Sequence, residues 1–557
     1  MSRVFEIADR YVDDIAALEP SLATALGITG HDHEMPDLSP EGPGQVAELN
    51  RDTLRRLDEA KDESDADRVA RAVMQERLGV SLDTYEAGEY LRALRNIASP
   101  LQGVRQVFDL MPKETAEHWS NIAARLNLVP QTLAGYRQSL SLGLERGLNA
   151  SKRQAKEGAE QARVWSGLAD KPSFFDQLQE QFATSGVSSN GLASDVEAGA
   201  AASKEAYAEM YRYLSEEYEP KTSAREAAGS ERYQLLSRVF LGASIDLEET
   251  YRWGWEELHR IEEEMRETAE KIKPGATIAE ATDLLENDPA RSVEGVEDYQ
   301  RWLQELHDEA LSDLHGKHFD IPDEIRVIEV MIPPPGGALA QYYTGPSEDF
   351  TRPGRTWWPT GDATRFPRWS DVSTAYHEGV PGHHLQVATV RLYPDTLSRY
   401  QRLLTFISGH GEGWALYAER LMSELGYLDN PDYYMGLLSA QALRSVRVII
   451  DIGMHLELKI PPGERFHPGE TWNHDLALDF AVERALRPRT FMASEVVRYL
   501  GWPAQAISYK VGERSWLKAR ESARKAAGGS FDLKAFHTKA LSIGPMGLAQ
   551  LETELAR

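Results

Sequence analysis

Three imidazoles and one carboxylate stand within eight residues of the segment Tyr376-His377-Glu378-Gly379-Val380-Pro381-Gly382-His383-His384-Leu385-Gln386. Burying that many polar rings among helices is costly unless each finds a partner, and one metal ion would partner several at once. Zinc is usually held by His-Glu-x-x-His, in which two histidines four apart share a helix face and the glutamate takes a proton from the attacking water. Here the second histidine comes six or seven residues after His377. On a straight helix the sixth residue points about 120° away and the seventh lies about 10.5 Å along the axis, too far for two ligand bonds of about 2.0–2.1 Å to one ion. Pro381, four residues after His377, has no N–H for the His377 carbonyl, while Gly379 and Gly382 tolerate unusual backbone angles. The sequence therefore predicts a kink or bulge between Glu378 and His383 that returns the second histidine to the first. Spacing alone leaves both His383 and His384 open as that ligand. With His383 on the metal, His384 faces elsewhere, toward substrate.

A third ligand is expected from a neighbouring helix. Ser408-Gly409-His410-Gly411-Glu412-Gly413-Trp414-Ala415-Leu416-Tyr417-Ala418-Glu419 places Glu412 and Glu419 seven apart on one face. One of them can bind the metal while the other orients a histidine ligand; Glu412 is the expected ligand. Tyr509 is the candidate donor to the oxyanion of a tetrahedral intermediate. Arg444, Arg447 and Arg498 could grip a substrate carboxylate through two parallel hydrogen bonds. Asp451 and His455, four apart, could form a second metal site, although a hydrogen-bonded structural pair explains them more simply.

Stepping outward, helical periodicity dominates the elements that must carry these groups. Apolar residues recur at three and four over 207–214, 247–272, 65–90, 114–146, 295–314, 396–423 and 429–459. Residues 184–204, rich in Ser, Gly and Ala, and residues 273–294, with Pro274, Gly275, Asn287 and Pro289, read as connections. The exception to helix is 324–346: Arg326 to Ile332 is β-rich, Pro333 to Gly337 forbids helix, and Ala340 to Thr344 reads as a second strand. A small hairpin or sheet is expected there, followed by a loop over GPSEDFTRPGRTWWP.

The chain has 557 residues with 88 acidic and 61 basic side chains, a formal charge of −27 that repels phosphate backbones and argues against a nucleic-acid partner. Cysteine is absent, so disulfides and thiolate ligands are excluded and any metal must sit on His, Asp or Glu. The N-terminal segment lacks an uninterrupted apolar core before a small-residue cleavage site, and no stretch approaches the ~20 apolar residues of a membrane span. A cytoplasmic protein with no membrane partner is the expectation.

HEGVPGHHLQ followed by GEGWALYAE resembles the bacterial domain of unknown function 885 family. The likeness runs nearly the full length, through ADRYVDDIAALEPSLATALGITGHD, LQGVRQVFDLMP, LGASIDLEETYRWGWEEL, YYTGPSEDFTRPGRTWW, RSVRVIIDIGMH and PAQAISYKVG. A more distant likeness is to the helical metallopeptidases typified by carboxypeptidase Taq and thimet oligopeptidase, which carry His-Glu-Phe-Gly-His with a zinc-binding glutamate on a later helix. Matching the Gly-His pair favours His383 over His384, and Glu412 with Glu419 resembles the glutamates of carboxypeptidase Taq. The departure is the two-residue insertion between Glu378 and His383.

Together these imply a mostly α, large multi-helix metallopeptidase-like fold with a cleft between helical lobes. It would form a single full-length unit over 1–557, with an N-terminal lobe at 1–272 and a catalytic lobe at 295–557. One zinc per chain would sit on His377, His383 and Glu412, with Glu378 as general base, Tyr509 as oxyanion donor, and Arg447, Arg498 and His384 toward the substrate. The implied activity is zinc-dependent hydrolysis of peptide or other amide bonds. The alternatives are a small-molecule amide or ester hydrolase in specialised metabolism and a catalytically idle helical scaffold.

Overall fold

The computed structural model describes residues 2–333, 340–347 and 350–557. The chain divides into two compact units, Met1–Ala228 with Ser494–Pro503 and Gly229–Ala493 with Ala504–Arg557. The first unit is helical. Its core gathers Trp119, Leu126, Tyr136, Phe175, Val196 and Tyr207, chiefly where helix Ala116–Glu145 lies along helix Leu192–Arg212. The second of these helices corrects the reading of 184–204 as a connection. Its small residues bring the pair into close contact: a Cβ on Gly199 would meet Leu126 Cβ at 2.6 Å, and Ser203 Oγ donates to the Leu126 carbonyl at 3.0 Å.

The second unit holds every residue of the histidine and glutamate motifs. The boundary between units falls at Ala228, and the segment 273–294 lies inside the second unit. Helix Leu247–Ile272, expected in the N-terminal lobe, packs instead on the long helix Pro431–His455, with Gly254 against Val448 and Ile449. The segment after it carries helix Ile278–Asn287, started by a Thr277–Glu280 capping box, and strand β1, Ser292–Glu294.

Of the expected small hairpin or sheet, the structure has the sheet: three strands, in which the two expected ones do not pair with each other. β2 is Ile328–Met331, β3 is Tyr342–Thr344, and β4, Gly354–Trp357, lies between them in the order β2-β4-β3. β4 runs parallel to β2, with Ile328 opposite Gly354, and antiparallel to β3, with Tyr343 opposite Thr356. The reading of 345–359 as loop therefore fails at β4. Pro334 to Gly337, read as a helix-forbidding break, lie outside the described residues, as do Glu348 and Asp349. β5, Arg365–Pro367, pairs antiparallel with β1. Helix Val296–Leu314 covers the sheet, packing Tyr299 and Leu303 against Val330, Trp358 and Phe366. Its Gln300 and Gln304 also bond the outer edge of β2: Gln304 Nε2 donates to the Ile328 carbonyl, Gln300 Nε2 donates to the Val330 carbonyl, and the Val330 N–H donates to Gln304 Oε1.

Candidate metal centre

The segment that the spacing marked as incompatible with one helix forms two. The first motif helix runs Asp371–Glu378 and the second His383–Arg391. Between them the Gly379 N–H completes the first helix on the Ala375 carbonyl, the Gly382 N–H reaches back to the Tyr376 carbonyl, and the His384 N–H bonds the Gly379 carbonyl. The turn is too tight for a side chain at Gly382, where a Cβ would lie 2.0 Å from the His377 carbonyl oxygen. Trp414 Nε1 fixes it from the facing helix by donating to the Pro381 carbonyl at 2.8 Å.

That facing helix, Ser408–Glu424, carries both glutamates. It crosses helix Ser508–Ala527 at backbone contact, since a Cβ on Gly413 would meet the Gly512 carbonyl carbon at 2.4 Å and one on Gly512 would meet the Gly409 carbonyl oxygen at 2.1 Å. His410, two residues before Glu412, is turned away, with Nδ1 3.1 Å from Gln386 Nε2 and its carbonyl accepting from Trp516 Nε1.

Glu412 Oε2 lies 3.4 Å from His377 Nε2 and 3.4 Å from His383 Nε2. One ligand atom from each of the three lies within 4.8 Å of the others. Tetrahedral zinc with bonds of about 2.1 Å requires ligand atoms about 3.4 Å apart, so both glutamate distances suit it. The donor set, two imidazole nitrogens and a carboxylate oxygen, suits zinc better than magnesium, which prefers oxygen alone. Behind the cluster, His377 Nδ1 lies 2.8 Å from Glu419 Oε1, the carboxylate–histidine contact that sets the tautomer and aims Nε2 forward.

The charges point the same way. Burial lowers the His377 pKa, yet hydrogen bonds with Glu412 and Glu419 and the charges of Glu419 and Glu378 outweigh it and raise it to about 9. Burial pushes Glu412 up, but hydrogen bonds with His377 and His383 hold it well below the usual carboxylate range. The carboxylates thus favour positive charge on the buried His377 ring, and the same carboxylates would favour a metal cation there. Glu378 is raised chiefly by burial, against the pull of His377 and His383.

The other sequence candidates fall in different places. His384 is buried with both ring nitrogens engaged, Nδ1 with Tyr343 Oη at 3.0 Å and Nε2 with the Ile325 carbonyl at 2.8 Å. The expected substrate-facing role is corrected accordingly: the imidazole ties the sheet to the second motif helix. Tyr509 lies in the second unit with Arg447 4.7 Å and Arg444 6.0 Å from its ring centroid. Arg444 Nη2 in turn stands 3.9 Å from Glu419 Oε1. Arg498 belongs to the first unit, where it holds the Glu495 carboxylate through Nε and Nη2. Asp451 and His455 form the structural pair, with Asp451 Oδ2 accepting from Tyr233 Oη and the Ala504 N–H. The sequence reading missed Arg487, whose pKa burial and the charges of Arg444 and Arg447 lower, and Tyr343. A single arginine between two helices has no spacing to mark it.

Two solved structures share the architecture. A Colwellia psychrerythraea protein described as a "putative lipoprotein" matches with a TM-score of 0.85 at 22% identity, over 99% of this chain and 98% of that one. A "putative lipoprotein of unknown function" from Shewanella oneidensis matches with a TM-score of 0.76 at 17% identity, over the whole of both chains. Among the described residues here no helix is long and apolar enough to cross a membrane. No curated protein matches the chain. The family model for bacterial proteins of unknown function, domain of unknown function 885, matches residues 20–555, and the chain belongs to that family.

Proposed function

We propose that the protein is a zinc-dependent hydrolase of peptide or other amide bonds, working in the cytoplasm. The observation that carries this reading is the convergence of His377 Nε2, His383 Nε2 and Glu412 Oε2 beside Glu378. His377, His383 and Glu412 would hold a zinc ion, which would supply Lewis acidity and make water at the site more acidic. Glu378 takes the proton of the attacking water and later delivers it to the leaving amine. Glu419 keeps His377 in the ligating tautomer. Tyr509 donates to the carbonyl oxygen as negative charge gathers on it. The sheet is where an extended peptide would add a strand: among the described residues β3 ends the strand order, whereas the outer edge of β2 is bonded by Gln300 and Gln304.

The test is turnover of peptide and acylated-amine libraries by gently purified protein, with and without chelator, alongside elemental analysis. Near-stoichiometric zinc and chelator-sensitive cleavage are expected. Glu378→Gln should keep the zinc while turnover falls about 10²–10⁴-fold, because the amide has the shape but cannot take the proton. Full activity in metal-free protein sinks the reading, and zinc without turnover of any amide leaves the scaffold alternative.

A further inference from the structure

The turn that brings His383 back to His377 is gripped at both ends from one face of the sheet. Tyr343 on β3 and Thr356 on β4 stand opposite one another in the antiparallel register, so their side chains share a face. Tyr343 reaches the far end of the turn through His384. Thr356 reaches the near end through His307, a wholly buried residue of helix Val296–Leu314 whose Nε2 lies 3.1 Å from Thr356 Oγ1. Trp358 Nε1 donates to the same oxygen at 3.1 Å, which holds the hydroxyl between the two rings. Another edge of the His307 ring rests on Gly379, where a Cβ would lie 2.4 Å from both Cε1 and Nδ1.

Packing alone does not account for a histidine at position 307. Burial and the charge of His384 lower its pKa to about 3, so the ring is neutral in the neutral range. Its Nδ1 has no hydrogen-bond partner among the described residues. Leucine or methionine would fill the same space without stranding a buried polar atom. What the imidazole adds is the bond at Nε2, which holds the ring in one orientation against Gly379. At Gly379 such a contact has leverage in both directions along the chain. The residue follows Glu378 directly, with α-carbons about 3.8 Å apart, and the chain leaves the first motif helix there, at φ −95° and ψ −123°. Its carbonyl accepts from the His384 N–H at the start of the second motif helix. A shift of Gly379 therefore moves Glu378 on one side and the helix bearing His383 on the other.

We propose that His307 is a positioning residue of the metal centre: anchored on Thr356, it holds Gly379 in place and so aims Glu378 and His383 at a common point. This rests on the hydrolase reading and adds the group that aligns the metal-binding motif with the sheet where an extended peptide would pair. Misplacing a reacting group by about 1 Å can cost about a hundredfold in rate although every group is still present. The loss belongs in kcat rather than in KM, because His307 acts through the turn and not on the bound peptide.

The experiment reads alignment without turnover as well as with it. Protein loaded with cobalt(II) in place of zinc absorbs in the visible, and the positions and intensities of the bands follow the geometry of the ligands. His307→Leu should shift that spectrum while binding near-stoichiometric cobalt. His307→Gln, whose amide can bond Thr356 from the place of Nε2, should restore most of it. Thr356→Val should shift the spectrum as His307→Leu does, and the double variant no further, because both remove one bond. Melting temperature reports whether each variant is folded; if leucine unfolds the protein, Thr356→Val carries the same test with the ring in place. In zinc-loaded protein His307→Leu should lower kcat about 10–100-fold and change KM less than about threefold. An unshifted spectrum in the folded variants, or equal loss of metal and stability with leucine and with glutamine, overturns the proposal. Amide hydrolysis with kcat unchanged by His307→Leu also overturns it while leaving the hydrolase intact. A spectral shift rescued by glutamine, in a protein that turns over no amide, supports the positioning role and refutes the hydrolase.

Discussion

His377 and His455 are both buried near the C-terminal end of a helix beside a carboxylate, and their surroundings differ in one respect that decides their roles. At His455 the acid is Asp451, 3.7 Å away, and Asp451 Oδ2 accepts from the Tyr233 hydroxyl at 2.6 Å and the Ala504 N–H at 2.9 Å. The one negative charge is met by neutral donors from two other segments. At His377 two glutamates flank the ring, Glu378 adds a third charge, and a second imidazole stands perpendicular with its centroid 4.8 Å away. Lone pairs there converge from three residues. A buried histidine–acid pair by itself therefore does not mark a candidate metal site; what sets the His377 cluster apart is the convergence of ligand atoms from three residues.

Breaking the two sites should separate them most strongly. His377→Ala should reduce bound zinc from about one per chain to under about a tenth and lower turnover more than a thousandfold, since both the ion and its Lewis acidity are lost. His455→Ala should leave zinc content unchanged and lower only stability. Elemental analysis of the two variants checks the contrast, and equal zinc loss from both would erase it. A smaller effect sharpens the metal side: Glu419→Gln should weaken zinc binding about 10–100-fold, read by competition with a chromophoric chelator, because the ligand loses its orienting charge.

The sequence revealed the site more readily than the scaffold around it, for a physical reason. Pro381 and Gly382 specify the break locally, through an absent N–H and an absent Cβ, so the return of His383 to His377 follows from covalent geometry. Glu412 and Glu419 follow from helix period. The missed elements depend on partners distant in sequence. Helix Leu192–Arg212 hides in a Ser-, Gly- and Ala-rich stretch because small residues there serve close packing on Leu126, which composition cannot distinguish from a linker. β4 hides in a turn-like Arg-Pro-Gly-Arg stretch, and becomes a strand because β2 and β3 flank it on both sides. Gly354 at its start is required by neighbours equally remote: a Cβ there would lie 2.4 Å from Tyr343 Oη.

On the structural side of the comparison, Asp451→Asn should cost about 1–3 kcal/mol of stability with zinc content unchanged. The amide keeps the shape but loses the charge that two donors face. A lower urea midpoint at constant m-value is the expected reading.

The smallest effect belongs to the third imidazole of the motif, which lies next to a ligand and is wired like His455. The Ile325 carbonyl can only accept, so His384 Nε2 carries the proton, Nδ1 is the acceptor, and the Tyr343 hydroxyl donates to it. Burial, partly offset by the Ile325 bond, lowers the His384 pKa to about 4, so this neutral tautomer holds throughout the neutral range. Tyr343→Phe removes one donor and should cost about 0.5–1.5 kcal/mol, with zinc still bound and only a small change in turnover. Nitrogen-15 spectra of labelled histidine should show the Nδ1 resonance moving as its hydrogen bond is lost while Nε2 stays protonated. Zinc release by Tyr343→Phe would instead mean that His384 supports the metal, and that sequence adjacency to His383 matters more than the direction in which the two rings point.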